Sequence, residues 1–432
     1  MMKKRELMKR VTAGFMAAAM LLSLTACGKS KEEKKPEAES KENGAVTLTF
    51  WNGFTGADGE VLRKIVDDFN AENDKKITIE MDIMPWDNFN EMLPTAVTSG
   101  TAPDFALMQA RDTPQYVQNG ALQPMDSFWE VEGVDKSDFN EESINMGILD
   151  GKQYSIAMQL QTFYLYWNKD IFKAAGLDPE QPPKTWDELV EIAPKLADPE
   201  KNVSGFLVPY NIGNVLFSWI KSAGGNVLND DYTKSEINSP ENLEVLKTMQ
   251  SLVQEQGGPD VISNPEIFNL MNAGQLGMLI APPFMVSGLE TNEINFGVTS
   301  IPQQTEDCEK VAIAEAVGFV VPKCTDESKL DAIYEFVSYW NTKEIAKRWA
   351  LEAGFPPYLK SAAEDPEVQA DEIIAALTDQ VSYAELYLPQ FVNRLALEKD
   401  AITPMLESLM QGEDPEVVLK EADDAINKIV SQ

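Results

Sequence analysis

The chain has 432 residues, with 36 Lys and Arg against 70 Asp and Glu, and its formal net charge is −34. This acidic balance excludes the basic face that binding to a phosphate backbone needs, so nucleic acid is not expected as a partner. The sequence contains no histidine, which excludes Ser-His-Asp and Cys-His nucleophile pairs, imidazole bases and His-ligated metal sites.

The N-terminal residues have the order of a secretion signal. Basic residues lie at positions 3, 4, 5, 9 and 10, an apolar run covers 11–24, and Leu24-Thr25-Ala26-Cys27 closes it. The run is too short to span a bilayer comfortably. Because the closing residues resemble a bacterial lipobox, we predict a lipoprotein signal peptide at 1–26 and acylation (palmitate) of Cys27. An ordinary secretion signal followed by an unrelated cysteine is the alternative.

Residues 27–44 are predicted to be the lipidated cysteine and a flexible tether, because 28–44 contain no aromatic residue and no aliphatic side chain larger than alanine. No later segment approaches eighteen uninterrupted apolar residues. We therefore expect the rest of the chain to lie outside the cytoplasmic membrane, held by its lipid anchor, and the source to be a Gram-positive bacterium.

After residue 45 the apolar pattern switches repeatedly between the periods of strands and helices. Strands are predicted at 46–54, 77–84, 104–108, 154–158, 163–167, 276–281, 295–301 and 318–321. Helices are predicted at 58–70, 88–99, 185–196, 243–254, 330–340, 345–351, 373–377 and 417–429. This alternation predicts an α/β protein whose ligand binds at loops beyond the carboxyl ends of its strands.

Beyond Cys27 the chain has two cysteines, Cys308 and Cys324. A disulfide between them and two free thiols are both compatible with their spacing. Two soft ligands without histidine do not make a metal site, so no metal is expected.

A series of short motifs follows in a fixed order. They are Tyr166-Trp167-Asn168-Lys169-Asp170, Ala175-Gly176-Leu177, Pro182-Pro183-Lys184-Thr185-Trp186-Asp187-Glu188, Ala223-Gly224-Gly225, Asn272-Ala273-Gly274-Gln275, Gly318-Phe319-Val320-Val321-Pro322 and Ala353-Gly354-Phe355-Pro356. Together they closely resemble the signature of extracellular solute-binding proteins of family 1, the maltose-binding-protein-like receptors of ABC importers. The resemblance covers residues 45–432. It departs at Pro282-Pro283-Phe284, where the family usually has Gly-Pro-Trp.

The resemblance implies a two-lobed periplasmic-binding-protein-like fold of the class II type, with a ligand cleft between hinged lobes. The first lobe would take residues 45–160 plus 313–356, and the second 161–312 plus 357–432. The implied function is that of a monomeric substrate-binding lipoprotein, which captures a carbohydrate, an oligosaccharide, and delivers it to the transmembrane subunits of an ABC permease. Neither enzyme activity nor a cofactor is expected.

Binding residues should come from both lobes, because a ligand drives closure only if it contacts both of them. Sugars present apolar faces and hydroxyls, so a sugar site needs aromatic rings beside amide and charged groups. Predicted ligand-binding residues of the first lobe are Asn52, Phe54, Thr55, Trp86, Gln109, Arg111 and Asp112. Those of the second lobe and its crossovers are Gln161, Tyr164, Asn214, Phe217, Trp219, Phe284 and Phe355.

Each of these assignments has an alternative. An aromatic residue beside a strand also fits a core position, and Arg111 with Asp112 also fits a surface ion pair. Trp186, Trp340 and Trp349 lie on amphipathic helices, so we predict that they pack.

Other cargoes and functions are compatible with the same fold. Relatives of this fold also carry polyamines, metal ions and phosphorylated small molecules. A phosphate would need several basic residues at the cleft, where Arg111 alone stands out, and a polyamine would need clustered carboxylates such as Asp104 and Asp112. A secreted glycosidase with paired carboxylates is the enzyme alternative.

Overall fold

A computed structural model describes residues 45–207, 213–254, 264–308 and 310–431. The predicted signal peptide, Cys27 and the tether lie outside the described residues. Among the residues it describes, none of the helices combines the length and the apolar character needed to cross a membrane.

Strands and helices alternate along most of the chain. The strands are β1 (Val46–Asn52), β2 (Ile77–Ile83), β3 (Phe105–Gln109), β4 (Ile148–Leu149), β5 (Lys152–Gln153), β6 (Ile156–Gln161), β7 (Tyr164–Asn168), β8 (Ser204–Leu207), β9 (Leu276–Ala281), β10 (Phe296–Ser300), β11 (Ala312–Val320) and β12 (Ala384–Leu386).

The helices are α1 (Ala57–Glu72), α2 (Trp86–Ser99), α3 (Thr113–Gln118), α4 (Glu141–Asn145), α5 (Lys169–Ala174), α6 (Trp186–Leu196), α7 (Gly213–Ser222), α8 (Pro240–Gln254), α9 (Asn264–Asn272), α10 (Met285–Thr291), α11 (Leu330–Trp340), α12 (Lys343–Ala353), α13 (Lys360–Ala363), α14 (Pro366–Ala370), α15 (Glu372–Val381), α16 (Arg394–Leu397), α17 (Thr403–Met410) and α18 (Pro415–Val430). A π-helical turn, Glu398–Ile402, joins α16 to α17.

Two main sheets define two lobes. The sheet of the first lobe has the order β12-β11-β3-β1-β2, with β6 also paired to β11. Its strand β1 runs parallel to β2 and β3, whereas β11 runs antiparallel to β3 and β6. The sheet of the second lobe has the order β10-β7-β9-β8, and β4 pairs with β5 in a separate hairpin.

Each lobe has its own apolar core, as the alternating patterns require. In the first lobe Phe50 of β1 stacks on Phe105 of β3 with ring centroids 4.4 Å apart, and Phe336 of α11 covers both. In the second lobe Trp186 of α6 stacks on Trp219 of α7 at 5.0 Å. Trp340 and Trp349 are buried, as the amphipathic helices predicted.

The chain crosses between the lobes at several places, and a buried glutamine joins three of them. β6 of the first lobe is followed by β7 of the second after only Thr162 and Phe163. The side-chain amide of Gln380, at the end of α15, donates to the Thr162 hydroxyl and to the Phe163 carbonyl. Its oxygen accepts from the backbone N–H of Ile301, at 3.0 Å, in the segment that leads from β10 to β11. The crossovers are therefore held together around one side chain.

The strands nearest the crossovers are longer than the sequence patterns predict. β6 continues to Gln161, where a connection was expected at 159–162, and β11 begins at Ala312, six residues before the predicted strand. The core of the first lobe also includes Leu359 and Ala362, which lie beyond the predicted limit at residue 356.

Candidate ligand-binding cleft

A cleft of about 500 Å³ opens where the strands of the two lobes end. The loop after β1, the end of β3 and the end of β6 line it from the first lobe, and the turn after β9 lines it from the second. A narrow inner pocket continues it past Gln109 toward Tyr387 and Arg394. Residues from both lobes therefore face one shared space.

The first lobe contributes a wall of aromatic rings. The Phe54 ring lies 5.9 Å from Trp86 and 6.0 Å from Trp349, in edge-to-face contacts, and Phe355 stacks on Trp349 at 5.5 Å. A Cβ atom at Gly53 would lie 2.1 Å from the Trp86 ring, so glycine is what allows this ring to pack on the loop. Phe54, Trp86 and Phe355 reach the cleft, while Trp349 supports them from the core.

The second lobe contributes Phe284, in the turn between β9 and α10. Its ring packs edge-on against Phe268 at 5.2 Å, yet the residue remains 41% exposed. Because most of the large apolar side chains that the structure describes are buried, a phenylalanine left open at the cleft is a surface for an apolar ligand face.

The floor of the cleft is a row of side chains on three neighbouring strands. Gln109 of β3 is paired with Val317 of β11, which is paired in turn with Gln159 of β6. Glu315 and Gln161 form the pair two residues farther along β11 and β6. Since alternate residues of a strand share a face, these five side chains lie on the same side of the sheet, and all of them line the cleft.

Charged groups from both lobes meet beside the floor. Arg111, after β3, lies 3.5 Å from the carboxylates of Glu315 and Glu398. It also donates to the Gln109 side chain at 2.9 Å. Glu398 belongs to the π-helical turn of the second lobe and accepts from Arg394 at 2.9 Å. The pair formed by Arg111 and Glu398 is thus a direct ionic contact between the lobes.

Burial and neighbouring charges shift the pKa values of Arg111, Asp112 and Asp58. Burial lowers the pKa of Arg111, but the carboxylates of Glu398 and Glu315 outweigh it, so the pKa is raised and the guanidinium stays charged. Burial raises the pKa of Asp112, and the neighbouring Arg111 opposes that shift only in part. Burial likewise raises the pKa of Asp58, which lines the cleft at the start of α1.

The structure brings most of the predicted site residues together. Those lining the cleft are Phe54, Thr55, Trp86, Gln109, Gln161, Phe284 and Phe355. Arg111 lines the inner pocket, and Asp112 lines a neighbouring groove between α2, α3 and Leu395.

Other predicted site residues lie away from the cleft. Asn52 is fully buried, and its side-chain oxygen accepts from the backbone N–H of Phe54, so it shapes the loop. Tyr164 is buried, with its hydroxyl donating to the Leu377 carbonyl, and Trp219 is buried against Trp186. Phe217 is buried behind the inner pocket, where it contacts Tyr387 at 4.6 Å. The side chain of Asn214, in α7, lies outside the described residues.

Several cleft residues were not predicted. Gln159, Glu315 and Val317 were missed because the ends of β6 and β11 were expected to be connections. The sequence signal for these strand ends was a polar residue at alternate positions, Gln159 and Gln161, and the single polar residue Glu315 within an apolar run. The C-terminal part of the chain brings three further residues back to the site, Tyr387, Arg394 and Glu398. No local sequence pattern indicates that they lie there.

Cys308 and Cys324, for which the sequence allowed either a disulfide or two free thiols, are both free thiols.

Replacing Phe284 by alanine should weaken ligand binding about tenfold and lower the melting temperature only slightly, because the ring packs on Phe268 along one edge and is otherwise open. The exposed ring can lose water contact only when a ligand covers it, and burying such a ring contributes about 1–2 kcal/mol. Calorimetric titration with and without the substitution measures this. Leu351, 39% exposed on α12 and not among the residues lining the cleft, gives the control L351A, which should bind normally. Equal affinity of F284A and L351A would remove Phe284 from the site.

Replacing Asp112 by asparagine should raise the melting temperature at neutral pH. The folded pKa of Asp112 is raised above its ordinary value of 3.8, so the folded state binds more protons than the unfolded state between the two values. Stability is therefore lost as pH rises through that window, and the charged form costs stability above it. The advantage of D112N should shrink as pH falls toward 3.8. Melting curves across acidic and neutral pH test this, with the exposed Asp87→Asn as control; a D112N advantage independent of pH would contradict it.

Two α/β lobes are joined by short crossovers, and rings of both lobes and amides of the first face one cleft. This arrangement defines a two-lobed solute-binding fold. Comparisons with known proteins agree. Residues 64–376 match the family model of the bacterial extracellular solute-binding proteins. The arabinooligosaccharide-binding protein of Halalkalibacterium halodurans is 25% identical over 90% of this chain and 91% of its own. The sn-glycerol-3-phosphate-binding periplasmic protein of Escherichia coli (strain K12) is 25% identical over 81% of this chain and 80% of its own.

Among solved structures, an ABC transporter solute-binding protein from Thermotoga lettingae, bound with α-D-tagatose, superposes with a TM-score of 0.79. It is 25% identical and covers 89% of this chain and all of its own. The match of the family model spans well over half of the sequence. The chain belongs to the bacterial extracellular solute-binding proteins.

Proposed function

We propose that this protein captures a neutral carbohydrate, an oligosaccharide, and delivers it to the permease of an ABC importer. The observation that carries the proposal is the composition of the cleft. Aromatic rings of both lobes, Trp86 and Phe284 among them, stand beside the side-chain amides of Gln109, Gln159 and Gln161. Rings suit the apolar faces of sugars, and amides suit their hydroxyls. The names of related proteins, which include an arabinooligosaccharide-binding and a maltotriose-binding protein, support the same class of ligand.

A phosphorylated ligand is the second candidate, because one relative is named for binding sn-glycerol 3-phosphate. The charged side chains at the cleft argue against a phosphorylated ligand. Arg111 is already flanked by Glu315 and Glu398, and Arg394 donates to Glu398 and to the Tyr387 carbonyl. At the start of α1 the Asp58 carboxylate accepts from the backbone N–H of Gly59, so a carboxylate already occupies that helix terminus. A phosphate would meet carboxylates at each of these places.

A thermal-shift screen tests the proposal. The panel should contain arabinose, galactose and glucose, short arabino- and malto-oligosaccharides, sn-glycerol 3-phosphate and spermidine. We expect a sugar to raise the melting temperature, because a ligand bound only to the native state stabilises it. A shift with glycerol phosphate or spermidine alone would contradict the proposal. New reducing ends after incubation with an oligosaccharide would show turnover and contradict the role of a receptor.

We propose further that the mature protein is a monomeric lipoprotein anchored outside the cell through acylated Cys27. Support comes from the sequence, in which a basic start, an apolar run and Leu24-Thr25-Ala26-Cys27 occur in order before a polar tether. Two or more acyl chains anchor a protein stably where one does not. Replacing Cys27 by alanine in cells should abolish labelling with a fatty-acid analogue and release the protein from membranes. Unchanged labelling of that variant would exclude acylation at this position.

A further inference from the structure

Gln159 lies on the floor of the cleft, and its buried side-chain amide has a hydrogen-bond partner for its nitrogen but none among the described residues for its oxygen. The residue is 3% exposed and lines the cleft. Its side-chain nitrogen donates to the Gln161 side chain at 3.2 Å. Its side-chain oxygen is buried and has no hydrogen-bond partner among the described residues. A buried acceptor left without a donor is costly, so such an atom in a binding cleft indicates a group supplied from outside the chain.

The backbone beneath Gln159 is irregular at the same place. The pairing of β11 with β6 shifts register between Val317 and Gly318, directly after the pair of Val317 with Gln159. A Cβ atom at Gly318 would lie 2.0 Å from the Ser155 hydroxyl oxygen, so only glycine allows this approach. Bulges of this kind commonly re-aim a side chain next to a binding site.

The groups around this oxygen define what it would bind. Glu315 and Asp58, which line the same cleft, also present carboxylate oxygens. The cleft therefore offers at least three side chains with acceptor oxygens, and a ligand that fits them brings hydrogen-bond donors. A sugar hydroxyl supplies one, whereas an ionised phosphate or carboxylate oxygen supplies none.

We propose that Gln159 is a specificity-determining residue, whose side-chain oxygen accepts a hydrogen bond from a hydroxyl of the bound sugar. The proposal rests on the carbohydrate function proposed above. The amide of Gln161 holds Gln159 from the other end, so the acceptor is oriented before the ligand arrives. Such preorganisation lowers the entropic cost of binding.

The test compares Gln159→Met with Gln153→Met. Gln153 is equally buried, at 3% exposed, but its side chain is fully bonded to Trp129, Ile144 and Ser155 and lies away from the cleft. We expect Q159M to stay close to the melting temperature of the free wild type, since it removes an oxygen that already lacks a partner and loses only one 3.2 Å hydrogen bond, to the partly exposed Gln161. It should bind the sugar that shifts wild type at least about tenfold more weakly. Q153M should do the opposite, with a lower melting temperature and normal affinity.

The outcomes separate the two proposals. If wild type binds a sugar and Q159M binds it equally well, the role of Gln159 is refuted and the carbohydrate function stands. If Q159M melts as low as Q153M, Gln159 is a structural residue and the proposal is also refuted. If spermidine alone binds wild type, the proposed carbohydrate function is refuted. The proposal that Gln159 accepts from a sugar hydroxyl is then refuted as well.

Discussion

Replacing Arg111 by methionine is expected to weaken binding of the sugar found in the screen by about a hundredfold or more. The guanidinium lies between Glu315 of the first lobe and Glu398 of the second, 3.5 Å from each. Without it, Glu315 and Glu398 lose the cation that they share, although Arg394 still pairs with Glu398. Like charges in a partly buried site repel strongly, so the lobes should resist closing on a ligand.

Arg348 provides a matched control on the outer face of the first lobe. It also pairs with two carboxylates, Asp68 at 2.6 Å and Glu352 at 3.0 Å, but none of the three lines the cleft. R348M should change stability by at most about 1 kcal/mol and leave affinity unchanged, as exposed ion pairs usually do. Normal binding by R111M would refute the role of Arg111.

A double variant separates neutralisation of charge from direct contact with the ligand. Combining R111M with Glu398→Gln removes one of the two carboxylates that Arg111 neutralises, so affinity should partly recover if repulsion is the cause. A double variant no better than R111M would show that Arg111 acts by touching the ligand itself. Calorimetric titration of the four proteins completes the cycle.

The second large effect is expected at Gln380, and it concerns stability. Replacing this glutamine by methionine leaves the Phe163 carbonyl and the Ile301 N–H without their side-chain partner in a buried crossover. Each buried backbone group left unpaired costs about 1–3 kcal/mol. The free energy of unfolding should therefore fall by about 3 kcal/mol, which denaturant titration measures directly.

Gln369 on α14 is the control, because it is an exposed glutamine in a neighbouring helix. Q369M should stay within about 0.5 kcal/mol of wild type. Equal stability of Q380M and Q369M would show that the crossovers do not depend on the Gln380 amide.

The motifs predicted the family and the two-lobed fold well, because they mark turns and helix starts whose spacing is fixed. The capping box at Thr185 and Glu188 is one example: both of its hydrogen bonds form at the start of α6. Local signals of this kind depend on nearby residues and can be read along the sequence.

The floor of the cleft was harder to predict, for a physical reason. Strand residues that face a cleft need no apolar layer above them, so Gln159, Gln161 and Glu315 interrupt apolar runs and resemble loop residues. Conversely, Tyr164 and Trp219 have the side chains of a sugar platform but point into a core. Packing between distant segments decides which face of a helix or strand lines the cleft. The same packing brings Glu398 next to Arg111, although the two are far apart in the sequence.

A crystal structure with the sugar found in the screen tests most directly the central claim, that residues of both lobes contact the ligand in the cleft. We predict density for the sugar between Trp86 of the first lobe and Phe284 of the second, with a hydroxyl at the Gln159 side-chain oxygen. A sugar held by the residues of one lobe alone, or bound outside the cleft, would contradict it.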